Sequence, residues 1–254
     1  MMGVINLAHG EFILIGIYGT AITYANGVPL WIAIPVGALA AGLFGLVVER
    51  TIIKRLYDRP IDSMVATWGI SIILIEAALL IFGTSYPGMQ RPFGAIQYGS
   101  FSASMYTIVL SIAAIGVLVL TYYVFNYTEW GLYARATLQN ADAAESLGVD
   151  TSRMYTASFF FGSFLAGLAG GLYAPVVSIG PNAGGGFIIE AFVTVIVGGT
   201  NVLLGTLLSG GFLSIINGIT SQTSGTLIGR VSLLVMAIVV VRLYPKGISS
   251  ILTK

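Results

Sequence analysis

Long apolar runs separated by short polar ones set the pattern of this chain. Continuous runs predict membrane-spanning helices at about 12–24, 30–48, 64–82, 105–124, 154–177 and 227–241. From 187 to 220 the apolar pattern continues, but Gly198-Gly199-Thr200-Asn201, Gly205 and Gly210-Gly211 interrupt it. Two passes must share these 34 residues. A full crossing takes about 20 helical residues each way, so short, tilted or broken helices are predicted there. Unwound backbone at such depth must be buried in protein or line a wet cavity.

Composition fixes the solvent. Of 254 residues, 56% are hydrophobic and 8% charged, against about 25% charged in an ordinary globular domain. Such a chain cannot clothe a water-facing surface, so most of its exterior faces lipid. The fold class is an all-α polytopic membrane protein, one permease-like domain over 1–254, with about seven to eight membrane segments including short or broken helices. The 33 glycines suit it, because small residues let helices approach where lipid gives no hydrophobic drive for association. A net charge of +1 gives no basis for a nucleic-acid partner.

Basic residues orient the chain. Nine of the eleven Lys and Arg residues fall in 49–62, 125–153 and 242–254, and only Arg91 and Arg230 lie on the opposite face. Basic loops stay in the cytoplasm, so the C-terminus is expected inside and the 83–104 loop outside.

An internal repeat appears at an offset of 195 residues. Gly3 meets Gly198, Asn6 meets Asn201, Gly10 meets Gly205 and Gly16 meets Gly211. Each copy reads G-x-x-N-x-x-x-G, runs into an apolar segment, turns outside and returns to a basic end at Arg50 or Arg242. Matching Gly-interrupted segments point to the translocation path of a transporter. Asn6, His9, Glu11, Glu190, Thr194, Thr200 and Asn201 are therefore the candidate path residues.

Glu11, Glu76 and Glu190 lie at or within apolar runs, where an ionised carboxylate costs at least a few kcal/mol, so each should face protein or water. Glu190 can line a polar path or partner a nearby structural group, and Glu76 reads as structural. His9, the one histidine in a chain without cysteine, cannot build a zinc site, which takes three or four convergent ligands. It reads as a hydrogen-bonding group at the helix break. No metal or other cofactor is expected on this chain, and no catalytic residues can be assembled from it. An ion-coupled carrier or channel using Glu76 and Glu190 is the rival class.

The loop at 125–153 carries a second signal. Asn140 can cap a short helix bearing Ala141, Ala144 and Leu147 on one face, and Gly148 can end it in a left-handed conformation. Two turns are marginal alone in water, so the helix should dock on something, either this chain or a cytoplasmic partner.

Three strings in order, GVINLAHGEF, ADAAESLGVDTSR and VGGTNVLLGTLLSG, resemble the permeases of branched-chain amino acid type ABC importers. The resemblance implies a subunit that works with a second related permease, two cytoplasmic ATPases and an extracytoplasmic binding protein in a bacterial inner membrane. It also makes the short helix the coupling element for the ATPase, through Gln139, Asn140, Ala141, Ala143, Ala144, Leu147 and Gly148. ATP and Mg would be used by the partners, in keeping with the lack of a G-x-x-x-x-G-K-[ST] phosphate loop here. Within the family, Thr137-Leu-Gln-Asn140, Ser178-Ile-Gly-Pro-Asn182 and Phe187-Ile-Ile-Glu-Ala-Phe192 look closest to urea and short-chain amide permeases. The expected substrate is therefore urea or a short amide, with a branched-chain amino acid as the alternative. The family carries another span before GVINLAHGE, so that span is expected to be missing from this sequence or absent from this permease.

Overall fold

Each apolar run becomes a helix in the computed structural model, which describes residues 6–57, 59–98, 101–199, 202–245 and 247–251. Among the described residues, six helical segments are long and apolar enough to cross a membrane, and Gly185–Gly198 is a shorter apolar helix. The chain divides into two compact units, 1–186 and 187–254.

The first unit holds α1 (His9–Ala25), α2 (Leu30–Thr51), α3 (Pro60–Phe82), α4 (Met105–Tyr127), α5 (Glu129–Gln139), α6 (Ala141–Ser146) and α7 (Thr151–Tyr173). Its core is the triple packing of α1, α2 and α7, and backbone approach explains why small residues recur there. Gly16 of α1 lies directly on the backbone of Gly167 in α7, and a Cβ at Gly37 of α2 would fall 2.6 Å from the Gly16 carbonyl oxygen. Phe12 is wholly buried, edge-on to Phe159 of α7 at 5.9 Å between ring centroids. Polar ties fix the far end. The Tyr106 hydroxyl donates to the Leu172 carbonyl at 2.6 Å, and the Tyr86 N–H donates to the Ile179 carbonyl at 2.9 Å.

The 83–104 segment, expected to be an external loop, contains a two-stranded antiparallel hairpin. β1 (Ala95–Tyr98) pairs with β2 (Phe101–Ser104), with Ala95 opposite Ser104 and Tyr98 opposite Phe101. Its strands are only 4 residues each, too short for alternation to stand out from loop composition.

The second unit holds α8 (Gly185–Gly198), α9 (Val202–Ser224) and α10 (Thr226–Leu243). Gly225, at φ 93°, turns α9 into α10. The pair buries Leu213, Leu233, Ala237 and Val240 around Val197 of α8. A Thr220–Ser232 hydroxyl hydrogen bond of 2.7 Å joins α9 to α10, and Ser209 donates to the Thr194 carbonyl at 2.7 Å, joining α9 to α8.

The interrupted segment is broken in one place, not three. α8 ends at Gly198 and α9 starts at Val202, whereas Gly205, Gly210 and Gly211 lie inside α9. The result is one short helix of 14 residues and one full-length helix of 23, roughly 21 and 34 Å long, rather than two equal short passes. Without competing water, a membrane helix keeps its hydrogen bonds through isolated glycines, and the glycines serve packing instead. Gly205 does this by lying on the Gly198 backbone.

Candidate translocation and coupling site

Side chains hold the backbone at the entry to α1. Just ahead of the helix, Asn6 Oδ1 accepts from Ala8 N at 3.0 Å, and Thr67 Oγ1 of α3 accepts from Leu7 N at 3.1 Å. His9 does not play the hydrogen-bonding role expected of it. Among the described residues its side chain makes no hydrogen bond. Thr67 was legible only as one more hydroxyl in an apolar run.

Glu11 occupies the first turn of α1, where a helix N-terminus favours negative charge. It is 3% exposed, and its Oε2 has no partner among the described residues. Glu190 is differently placed. Its Oε1 lies 3.8 Å from Nε of Arg230 on α10, with both side chains partly exposed; such a pair contributes about 0–1 kcal/mol. Thr194 turns its hydroxyl back to the Glu190 carbonyl at 2.7 Å, while its own carbonyl takes Ser209. Asn6, His9 and Glu11 belong to the first unit, Glu190 and Thr194 to the second, and Thr200 and Asn201 lie outside the described residues. Glu76 faces outward from α3, exposed and without an ion pair among the described residues.

The repeat has a partial structural counterpart. In each copy a helical hairpin, α1–α2 or α9–α10, follows the repeated motif. Gly10 and Gly205 both sit hard against backbone, on Gly184 and Gly198 respectively. Gly16 does so as well, but nothing lies within 4 Å of a Cβ at Gly211. Gly3 and Asn201 are outside the described residues.

A buried carboxylate that the sequence does not single out is Glu49, beside Arg50 at the end of α2. It is fully buried. The Tyr57 hydroxyl donates to its Oε1 at 3.1 Å, and Tyr57 stacks on Tyr155 of α7 with centroids 4.5 Å apart. Burial first, then the Glu49 charge, push the Tyr57 hydroxyl well above the usual phenol range. The phenol thus stays protonated and keeps donating at neutral pH; this raised pKa stabilises the fold below the ordinary phenol value, and the contribution fades only as pH rises beyond it. Tyr57→Phe should cost about 1–3 kcal/mol by stranding the carboxylate, read as a lower thermal midpoint in detergent.

The 125–153 segment is more helical than expected. Thr128 caps α5, its hydroxyl oxygen accepting from Gly131 N at 3.2 Å, so the stretch before Asn140 is a helix rather than loop. Asn140 Oδ1 then caps α6 by accepting from Ala143 N at 3.0 Å. Gly148, at φ 88°, closes the helix: Val149 N donates to Ala144 O at 3.0 Å and Gly148 N to Glu145 O at 2.9 Å, a Schellman motif. The shared face expected for Ala141, Ala144 and Leu147 is split. Ala144 is 3% exposed, against this chain, while Leu147 is 85% exposed, because Leu147 is the capping residue beyond the last helical turn. Gln139, Asn140 and Ala143 are exposed with Leu147, and Ala141 is half-buried. Asn140→Ala should cost α6 about 1 kcal/mol, measurable as faster hydrogen exchange at Ala143 and Ala144.

These elements define a polytopic α-helical membrane protein of permease build, with a capped helical step between two spans. The family model described as the permease component of the branched-chain amino acid transport system matches residues 1–243, and the chain belongs to that family. The chain is 27% identical to the probable branched-chain amino acid transport permease protein LivH of Methanocaldococcus jannaschii, over 97% of this chain and 83% of that protein. It is 26% identical to the high-affinity branched-chain amino acid transport system permease protein LivH of Escherichia coli K12, over 98% and 86%. A third relative, the permease protein BraD of Pseudomonas aeruginosa, described in the same terms, is 25% identical over 98% and 86%. No solved structure matches.

Proposed function

We propose that this chain is the membrane-spanning subunit of an ATP-driven importer of branched-chain amino acids. The match of the permease family model to residues 1–243 carries this reading. The urea and amide reading rested on three short strings, whereas the relatives aligned along nearly the whole chain are named for branched-chain amino acid transport. That favours the second of the two substrate classes. The chemistry of the first unit supports the same choice. A zwitterionic amino acid needs a carboxylate near its ammonium and a helix N-terminus near its carboxylate. Glu11 is a buried carboxylate with an unpaired oxygen, and it stands in the first turn of α1, beside that helix's N-terminus.

In this reading Asn6, His9, Glu11, Glu190, Thr194, Thr200 and Asn201 line the path. The exposed end of α6 docks on an ATPase subunit. A second permease chain, two ATPases that use ATP and Mg, and an extracytoplasmic binding protein complete the importer. The basic loops put the C-terminus in the cytoplasm. Nucleotide-driven closure of the ATPases moves α6, and the paired permeases alternate between outward and inward access.

The substrate is tested by calorimetric titration of the cognate binding protein. Leucine, isoleucine and valine should bind, while urea and acetamide should not; binding of urea alone would restore the amide reading. Glu11→Gln removes a charge-assisted contact of about 1.5–3 kcal/mol, so the KM for leucine uptake should rise roughly ten- to hundredfold.

A further inference from the structure

Two adjoining cavities flank the start of α7, and neither belongs to the translocation path. The larger, about 730 Å³, lies between the end of α2 and the start of α7, with Arg50, Lys54, Arg153 and Asp150 at its rim and Leu46 and Phe160 deeper. Arg153 is paired with Asp150 at 2.9 Å. Arg50 and Lys54 have no carboxylate partner among the described residues. The rim therefore carries a net charge of +2. Ser152 and Thr156 add hydroxyl groups to the same wall. The smaller cavity, about 420 Å³, is mostly apolar, walled by Val124, Thr128, Trp130, Ala157, Phe160 and Phe161. Ala157 and Phe160 line both, so the charged cavity and the apolar slot meet along α7.

This combination has one natural occupant. The charged rim lies at the ends of two membrane-spanning helices, at headgroup level, and the apolar slot runs beside the first turns of α7, at acyl-chain level. Trp130, packed edge-on against Phe125 at 5.2 Å, sits where interfacial tryptophans collect. The basic-residue bias places this end in the cytoplasmic leaflet, and basic pockets between helices on that side hold anionic head groups. We propose that the groove formed by α2, α7 and the α4–α5 corner binds an anionic glycerophospholipid, its phosphate between Arg50 and Lys54 and one acyl chain along Phe160 and Trp130.

Trp130 provides a direct probe, since the chain has only three tryptophans and Trp31 and Trp68 are 69% and 58% exposed. In a Trp31→Phe/Trp68→Phe background in nanodiscs, phosphatidylglycerol with brominated acyl chains should quench Trp130 at low mole fraction, whereas brominated phosphatidylethanolamine should not. Each basic residue near a head group is worth about a fivefold affinity, so Arg50→Gln/Lys54→Gln should weaken the selective quenching roughly thirtyfold. Arg50→Lys/Lys54→Arg, which keeps both charges, should preserve it. Native mass spectrometry of the assembled importer should show retained phosphatidylglycerol that the glutamine variant loses. Equal quenching by the two lipids would overturn the proposal, as would unchanged phosphatidylglycerol retention in the variant or no retained lipid in the importer. Displacement by inorganic phosphate alone would put a free anion in the site and also overturn it.

Discussion

Replacing Leu147 with aspartate is expected to leave the permease folded and membrane-inserted while weakening its grip on the ATPase subunit about thirtyfold or more. Leu147 is 85% exposed at the tip of a helix capped at both ends, so its side chain contributes little to this chain's own packing. A large apolar residue held out on so short a scaffold is a natural anchor for a partner's pocket. Loss of a central anchor typically costs 2 kcal/mol or more, and a charge in its place adds desolvation. Co-purification of ATPase subunits and the ratio of ATP hydrolysed to leucine imported measure the effect. Ala144→Asp is expected to fail differently. Ala144 is 3% exposed, so the new carboxylate would be buried against the first unit and unsettle α6 itself, with a lower yield of folded protein.

The second large effect concerns the α1–α2–α7 packing. Gly167→Leu should prevent accumulation of folded protein. The Gly16 and Gly167 backbones touch, and a Cβ on Gly167 would also fall on Ala41 and 3.1 Å from the Ala38 Cα. Overpacking of this kind costs about 3 kcal/mol or more, a large share of a marginal stability. Gly162→Leu on the same helix is the control, because nothing lies within 4 Å of a Cβ there. Size-exclusion profiles of the two variants in detergent should separate, the first aggregated and the second monodisperse.

The large apolar helices were legible because hydrophobic runs of spanning length admit few other structures. The caps of α6 were equally legible, since Asn140 and Gly148 each have a backbone role that few other residues perform as well. Other features depend on three-dimensional proximity that spacing does not encode. Helical periodicity put Leu147 on the face of Ala144, but the helix ends one residue earlier and turns Leu147 outward. Glycine clusters inside α9 looked like breaks, yet the helix runs through Gly205, Gly210 and Gly211 without interruption. Glu49 carries no motif that singles it out in the sequence, and only the fold shows its burial and its hydrogen bond from Tyr57. Asn6 and Glu11 were identifiable as unusual polar residues at the start of α1, but which donors Asn6 satisfies, and which carboxylate oxygen Glu11 leaves unpaired, follow from the fold.

The most direct measurement is uptake of radiolabelled leucine by proteoliposomes containing this chain with its partner permease and ATPases, with the binding protein supplied outside. Leucine should accumulate only when ATP is enclosed and the binding protein is present, with no response to an imposed proton or sodium gradient. Accumulation by the permease chain alone, driven by such a gradient without ATP, would contradict the importer assignment.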